Sequence, residues 1–102
     1  MLSTELKERF MFGRVDITDI KGFKLGNAEN TDAATGCTVI VAEKGATAGV
    51  DVRGGGPATR ETDLLRSENT IDKIHAVVIS GGSAYGLEAG SGVMRELENM
   101  KI

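Results

Sequence analysis

The sequence predicts a mixed α/β fold of the α+β kind. Two apolar runs of strand length lie at residues 36–42 and 74–80, and the first has the β-branched content of a strand buried on both faces. Residues 83–100 space their apolar side chains as one face of an amphipathic helix. A chain of 102 residues, 40% of them apolar, can build one modest core and at most one domain.

The N-terminal third predicts a lead-in and two short strands. Residues 1–12 are a short polar lead-in with one or two helical turns. Residues 14–27 alternate apolar and polar side chains, which is the periodicity of a strand, and Gly22 indicates a turn between two runs. The alternating apolar residues are Val15, Ile17, Phe23 and Leu25. Residues 28–35 are small and polar and predict a loop.

The middle of the chain predicts a hairpin and a long loop. The apolar run 36–42 is followed by Glu-Lys-Gly at 43–45, which indicates a turn, and residues 46–53 alternate again. Residues 36–53 therefore predict two paired strands. Residues 54–69 hold three consecutive glycines and the only proline, and a loop of this length in a compact domain is often functional.

Composition excludes several classes of function. The net charge is −3 with 26% charged residues, and the basic residues are scattered, so neither nucleic acid nor a membrane surface is an expected partner. Residues 1–12 lack the apolar stretch of an export signal, which predicts a cytoplasmic protein. The lone Cys37 rules out an internal disulfide, and one distant histidine, His75, cannot complete a metal site with it.

The glycine-rich loop has two interpretations. Backbone N–H groups at residues 54–56 could cradle an anion, or the segment could be a flexible surface loop with a charged tip. The spacing of a P-loop is missing, and no helix opens directly from the loop as a dinucleotide fingerprint requires. No cofactor is therefore predicted.

The turn at Gly81 and Gly82 is the second candidate for chemistry. It follows an apolar strand and opens a helix, where N–H groups and the helix dipole favour an oxyanion or a carboxylate. Ser83 misses the nucleophile-elbow pattern because Tyr85 stands where the second glycine is needed. Tyr85 is either an aromatic residue at the edge of the core or a hydroxyl aimed into a site, and Glu88 lies one turn further on.

Glycines recur every four residues at Gly82, Gly86 and Gly90. On a helix they share one face, and each costs about 1 kcal/mol relative to alanine in a helix interior. A close contact with a sheet, a second helix or a substrate is expected to offset that cost.

Four stretches of the sequence resemble the DmpA-type aminopeptidases, a family that also contains β-peptidyl aminopeptidases and nylon-oligomer hydrolases. They are ITDIKGFKLG (17–26), ATGCTVI (34–40), AGVDVRGGGPATRETDLL (48–65) and AVVISGGSAYGLEAGSGVM (76–94). The resemblance implies a four-layer αββα fold, of which residues 13–102 are an incomplete N-terminal portion. It also implies a precursor that cuts itself to expose a serine or threonine, whose free α-amine serves as the base.

The resemblance also bears on the site. In the family the nucleophile lies far beyond position 102, so this chain alone should not be catalytic. Tyr85 matches a tyrosine near the nucleophile in some members and is implied to be a supporting catalytic group. The candidate substrate-binding residues are Gly81, Gly82, Ser83 and Glu88, and the loop 53–63 is a candidate wall of the site.

The expected partners follow from this incompleteness. The chain ends at Lys101 and Ile102 without a visible helix cap, which indicates that it continues or pairs with another piece. The remainder of the polypeptide, or a β chain cut from it, is the expected partner, together with further copies and a peptide or amide substrate. The alternatives left open are a module that binds a small anion and a non-catalytic assembly module.

Overall fold

A computed structural model describes residues 13–66 and 72–102. Its three strands form one antiparallel sheet in the order β1-β2-β3, with β1 at Lys24–Asn30, β2 at Thr35–Ala46 and β3 at Ile74–Ser80. Helix α1 spans Ala89–Asn99, and short 3-10 helices occupy Ile17–Asp19, Asp63–Leu65 and Ser83–Glu88. The predicted mixed α/β class is confirmed. The predicted lead-in, 1–12, lies outside the described residues.

The hairpin of this sheet lies earlier in the chain than the sequence predicts. Strands β1 and β2 pair in register from Lys24 with Val41 to Asn30 with Thr35. In the turn between them, the Ala33 N–H donates to Asn30 Oδ1 at 3.1 Å, and Ala34 has a positive φ of 52°. The predicted loop at 28–35 is therefore wrong for residues 28–30 and for residue 35, which are strand.

The predicted hairpin at 36–53 is wrong because β2 continues through the predicted turn. Val41 pairs with Ala76 of β3, and the next pair is Ala46 with Ile74, so residues 42–45 lie opposite His75 alone. The Glu-Lys-Gly segment at 43–45 lies within this irregularity, and Gly45 has a φ of 82°. Residues 47–53 form no strand. A turn signal in the sequence has become a bulge within one strand.

The first predicted strand is replaced by a 3-10 turn at Ile17–Asp19. The Asp16 carboxylate accepts hydrogen bonds from the Thr18 N–H at 3.0 Å and from Thr18 Oγ1 at 2.7 Å. The bond from the Thr18 backbone N–H, more than that from its hydroxyl, holds the pKa of Asp16 below its usual value. An aspartate that caps the backbone two residues on stabilises a turn and overrides the alternation of Val15 and Ile17.

In the second half of the chain the structure agrees better with the elements that the sequence predicts. Strand β3 has the predicted bounds, and the helix lies within the predicted segment, although its first residues, Ser83–Glu88, are 3-10 rather than α-helical. Helix α1 covers the face of β3 that carries Ile74, Ala76 and Val78, which are only partly exposed. Every helix in the part of the chain that the structure describes is too short or too polar to cross a membrane.

The opposite face of the sheet carries an apolar row that stays partly exposed among the described residues. Leu25, Ile40 and Val77 lie in one row across the three strands, and Ile79 follows on β3. Leu25 is 37% exposed, Val77 45% and Ile79 63%. Among the described residues the one buried apolar side chain is Ala42, which is 7% exposed, so the strand expected to be buried on both faces is only half-buried.

Candidate functional site

The turn from β3 into the helix is held close to the sheet. The Gly81 N–H donates to the Gly36 carbonyl oxygen at 2.9 Å, which extends the pairing of β2 and β3 by one bond. A Cβ on Gly81 would lie 2.5 Å from Thr35 Oγ1, so no larger residue fits without displacing that threonine. The turn is therefore anchored at its first residue.

The next two residues turn the chain sharply. Gly82 has a φ of 97° and Ser83 a φ of 57°, both in the left-handed region. Glycine adopts this region freely, whereas a non-glycine residue there costs on the order of 1–3 kcal/mol and often lies at a functional site. The structure thus brings the predicted residues Gly81, Gly82 and Ser83 together in one strained and exposed turn.

Gly86 closes the turn, and its identity is dictated by space. Its N–H donates to the Gly82 carbonyl oxygen at 3.1 Å. A Cβ on Gly86 would lie only 1.9 Å from the Gly81 carbonyl oxygen. The close contact expected from the four-residue glycine spacing is present, but at Gly86 it is made by the turn's own backbone rather than by the sheet. Gly90 makes a different contact, with the side chain of Arg60.

Tyr85 projects from this segment into solvent. Its side chain is 92% exposed, so the ring does not pack against the described sheet. Glu88, at the boundary between the 3-10 helix and α1, is also exposed. Both residues lie on the segment that follows Gly82, and their hydroxyl and carboxylate groups are exposed on the outside of the turn.

The far part of the glycine-rich loop folds back onto the turn. Residues 58–60 and 62 of the loop, together with the turn, line a cleft of about 420 Å³. Hydroxyl groups line much of it: Thr59, Thr62, Ser80 and Ser83. The Thr59 and Thr62 hydroxyls lie 2.9 Å apart in a mutual hydrogen bond. The three glycines at 54–56 are not among the residues that line the cleft, and a Cβ on any of them would meet nothing within 4 Å.

Arg60 joins the loop to the helix and was missed by the sequence analysis. Its Nη1 donates to the Leu87 carbonyl oxygen at 3.3 Å and to Ser91 Oγ at 2.8 Å. A Cβ on Gly90 would lie 3.3 Å from the same nitrogen, so the glycine lets the guanidinium lie close against α1. Gly90, a glycine inside a helix, is the sequence signal that could have indicated a side chain crossing the helix at this point.

Metal ligation has no support in the described residues. No group of three or more His, Cys, Asp or Glu side chains in residues 13–66 and 72–102 could hold a metal ion. Cys37 is a half-buried free thiol on β2. The turn and the segment after it present hydroxyl groups, the Glu88 carboxylate and backbone amides.

Comparison with known proteins identifies the family. The model of peptidase family S58 matches residues 16–101. An uncharacterised aminopeptidase of Mycobacterium leprae is 47% identical over 90 residues, covering 80% of this chain and 25% of the relative. Another from Mycobacterium tuberculosis is 44% identical over 90 residues, covering 80% and 26%. A 6-aminohexanoate-oligomer endohydrolase of a Kocuria species is 39% identical over 75 residues, covering 74% and 19%.

The chain spans about a quarter of the length of the curated aminopeptidases that it matches. No solved structure matches it significantly. The family model, in contrast, covers most of the chain, including the glycine-rich loop, the turn and Tyr85. The chain belongs to peptidase family S58, the family of the DmpA-type aminopeptidases.

Proposed function

We propose that the chain is the N-terminal part of a self-processing amide hydrolase that acts as an aminopeptidase. The observation that carries the proposal is the turn after β3, where Gly81 and Gly86 fix the backbone and leave the Tyr85 side chain 92% exposed. Membership of a peptidase family and relatives named as aminopeptidases support the same reaction class. The nucleophile, a serine or threonine freed by self-cleavage, lies beyond residue 102.

The residues of this chain bind the substrate and donate hydrogen bonds near the reacting atoms. The α-amine of the nucleophile takes the hydroxyl proton as the oxygen attacks the amide carbon, and it passes this proton to the leaving amine as the C–N bond breaks. Water then attacks the resulting ester, which releases the acid and restores the hydroxyl. The Tyr85 hydroxyl can donate a hydrogen bond to the oxyanion that develops. Glu88 lies just beyond it on the same exposed segment, where a carboxylate suits the free ammonium group of an aminopeptidase substrate.

The substrate class follows from the same relatives. Substrates of the whole protein are proposed to be peptides or other amides with a free amino group. The 39% identity with an enzyme named for 6-aminohexanoate oligomers supports amides beyond α-peptides. The hydroxyl-lined cleft beside the turn, with Thr59 and Ser83 on its walls, suits hydrogen bonding to an amide backbone.

The rest of the fold is proposed to be supplied by the remainder of the polypeptide. An apolar sheet face with Val77 45% and Ile79 63% exposed needs a covering layer. A second sheet on this face gives the four-layer αββα arrangement. The β chain left by self-cleavage, further copies of the whole protein and a cytoplasmic location belong to the same proposal.

The alternative of a small-anion site at the turn has weaker support. Two of its amides are already used, because Gly81 donates to Gly36 and Gly86 donates to Gly82. The segment begins as a 3-10 helix at Ser83, so α1 itself starts only at Ala89, six residues after Ser83. The aminopeptidase proposal uses the exposed side chains rather than these amides.

The test is made on the full-length protein. We expect intact-mass measurement to show two chains after expression, with serine or threonine at the new N-terminus. The purified protein should release p-nitroaniline from aminoacyl p-nitroanilides, while residues 1–102 alone should not. A full-length protein that stays uncut and inactive on peptide and amide substrates, or turnover by rigorously purified 1–102, would overturn the proposal.

A further inference from the structure

Arg60 fastens the far part of the glycine-rich loop to the start of the helix. Nη1 donates to the Leu87 carbonyl oxygen at 3.3 Å and to Ser91 Oγ at 2.8 Å, and Nη2 lies 3.9 Å from Met94 Sδ. The two bonds to oxygen join residues that are 27 and 31 positions apart in sequence. One guanidinium group therefore bridges the 3-10 segment and the first turn of α1.

The backbone on both sides is shaped for this contact. Gly90 lies beneath the guanidinium, where a Cβ would come within 3.3 Å of Nη1. Glu61, which follows Arg60, has a φ of 63°, a conformation that a non-glycine residue keeps only when its surroundings enforce it. A glycine on the helix and a strained residue in the loop are thus both placed at the point where Arg60 crosses.

The segment that carries Tyr85 is consequently held at both ends. At its beginning, Gly81 is bonded to Gly36 of β2 at 2.9 Å. At its end, Arg60 holds the carbonyl of Leu87. Tyr85 lies between these two hydrogen-bonded positions. Because it is 92% exposed, its own ring contributes almost nothing to fixing its position. The direction of its hydroxyl therefore depends on the backbone that Gly81 and Arg60 restrain.

We propose that Arg60 is a positioning residue for amide hydrolysis, acting through Leu87 on the segment from which Tyr85 reaches the reacting atoms. The inference rests on the proposed function. A guanidinium suits the task because its planar fork donates several hydrogen bonds in fixed directions, whereas the lysine ammonium is a point charge on a flexible stem. Misplacing a catalytic group by about 1 Å can lower the rate by roughly 100-fold.

The test is a double-mutant cycle in the full-length, self-cleaved protein. We expect Arg60→Met to lower kcat by about 10- to 100-fold with KM changed less than about twofold, because the guanidinium orients a catalytic group. In a Tyr85→Phe background, Arg60→Met should cost almost nothing more, since the hydroxyl that it positions is absent. Arg60→Lys should recover only a small part of the lost kcat.

Arg66→Met is the matched control. Arg66 lies at the end of the same loop, is exposed, and its Nε is 3.5 Å from Asp63 Oδ1, so its loss should leave kcat unchanged. If Arg60→Met fails to fold, Ser91→Ala replaces it in the cycle because it removes one acceptor of the same guanidinium. A kcat loss of equal size in both backgrounds, or none, would overturn the inference. Absence of hydrolysis by the unmodified protein would overturn the proposed function itself.

Discussion

Tyr85 combines a fixed backbone with a free side chain. The glycines on either side hold the segment, while the side chain is 92% exposed. Because the ring is not part of the described packing, removing the hydroxyl should affect chemistry rather than stability. In the full-length protein we expect Tyr85→Phe to lower kcat by about 10²- to 10³-fold, the usual cost of losing one donor to an oxyanion.

The accompanying measurement for Tyr85→Phe is the melting temperature, which should change by less than about 2 °C, since a conservative change at a surface residue costs little stability. Normal turnover by the variant would remove Tyr85 from the catalytic assignment. Reduced turnover together with a large fall in Tm would instead assign the ring a packing role in the complete fold.

Gly86 and Gly92 provide a matched pair on neighbouring turns of the helical segment. A Cβ on Gly86 would lie 1.9 Å from a backbone carbonyl oxygen, whereas a Cβ on Gly92 meets nothing within 4 Å. Gly86→Ala should therefore lower the free energy of unfolding by about 3 kcal/mol or more, because backbone must move. Gly92→Ala should raise it by about 0.5–1 kcal/mol through helix propensity.

Urea denaturation of the full-length variants measures both changes. The opposite signs are the point of the comparison, since both substitutions add the same methyl group to a helical glycine. Destabilisation of equal size at both positions would show that the turn does not have the tight backbone contact described between Gly81 and Gly86.

Sequence reasoning at the scale of single residues succeeded where the signal was local. Gly81 and Gly82 follow an apolar strand directly, and that order is enough to predict the turn that the structure contains. Arg60 was missed because its acceptors, Leu87 and Ser91, are 27 and 31 residues away. A hydrogen bond over that separation depends on how the loop folds back, which no local pattern encodes.

The same contrast holds for the elements. Strand β3 was predicted correctly because two charged residues precede its apolar run and two glycines follow it. The helix was predicted correctly because its apolar spacing is regular. The hairpin was misplaced because β1 is an edge strand exposed along its whole length, so burial imposed no pattern on residues 28–30. The charged Glu43, taken for part of a turn, instead forms an ion pair with Lys24 across the two strands.

The turn between β1 and β2 gives a prediction at this scale. Ala34 has a φ of 52°, which glycine adopts at lower cost, whereas Ala33 has no positive φ. Ala34→Gly should raise the free energy of unfolding by about 0.5–1 kcal/mol, and Ala33→Gly should lower it by a similar amount. Chemical denaturation of the two variants checks the pair. Destabilisation by both would contradict the described hairpin.

At the scale of the whole molecule, the sheet has one face partly covered by α1 and one face without cover among the described residues. Ile79 on that second face is 63% exposed, next to the row formed by Leu25, Ile40 and Val77. The chain spans about a quarter of the length of its relatives, and we propose that the remainder of the polypeptide covers this face. The state of this face therefore separates a complete small domain from one layer of a larger fold.

Ile79→Lys tests whether the chain is a complete small domain or one layer of a larger fold. If a second sheet covers Ile79 in the full-length protein, the lysine is buried without a partner and should cost about 3 kcal/mol or more of unfolding free energy. If the face stays in water, the same change should be neutral. Asn99→Lys, at an exposed position at the end of α1, adds the same single charge as a control and should cost less than about 0.5 kcal/mol.

In the isolated chain 1–102, Ile79→Lys should be favourable rather than destabilising. With its apolar face uncovered the fragment is expected to self-associate at micromolar concentration, and Ile79→Lys should reduce that association because a charge now interrupts the patch. Light scattering of both forms measures this directly. A stable monomer of the unmodified fragment, together with a neutral Ile79→Lys in the full-length protein, would mean that this face is a solvent surface and that the αββα layering is wrong.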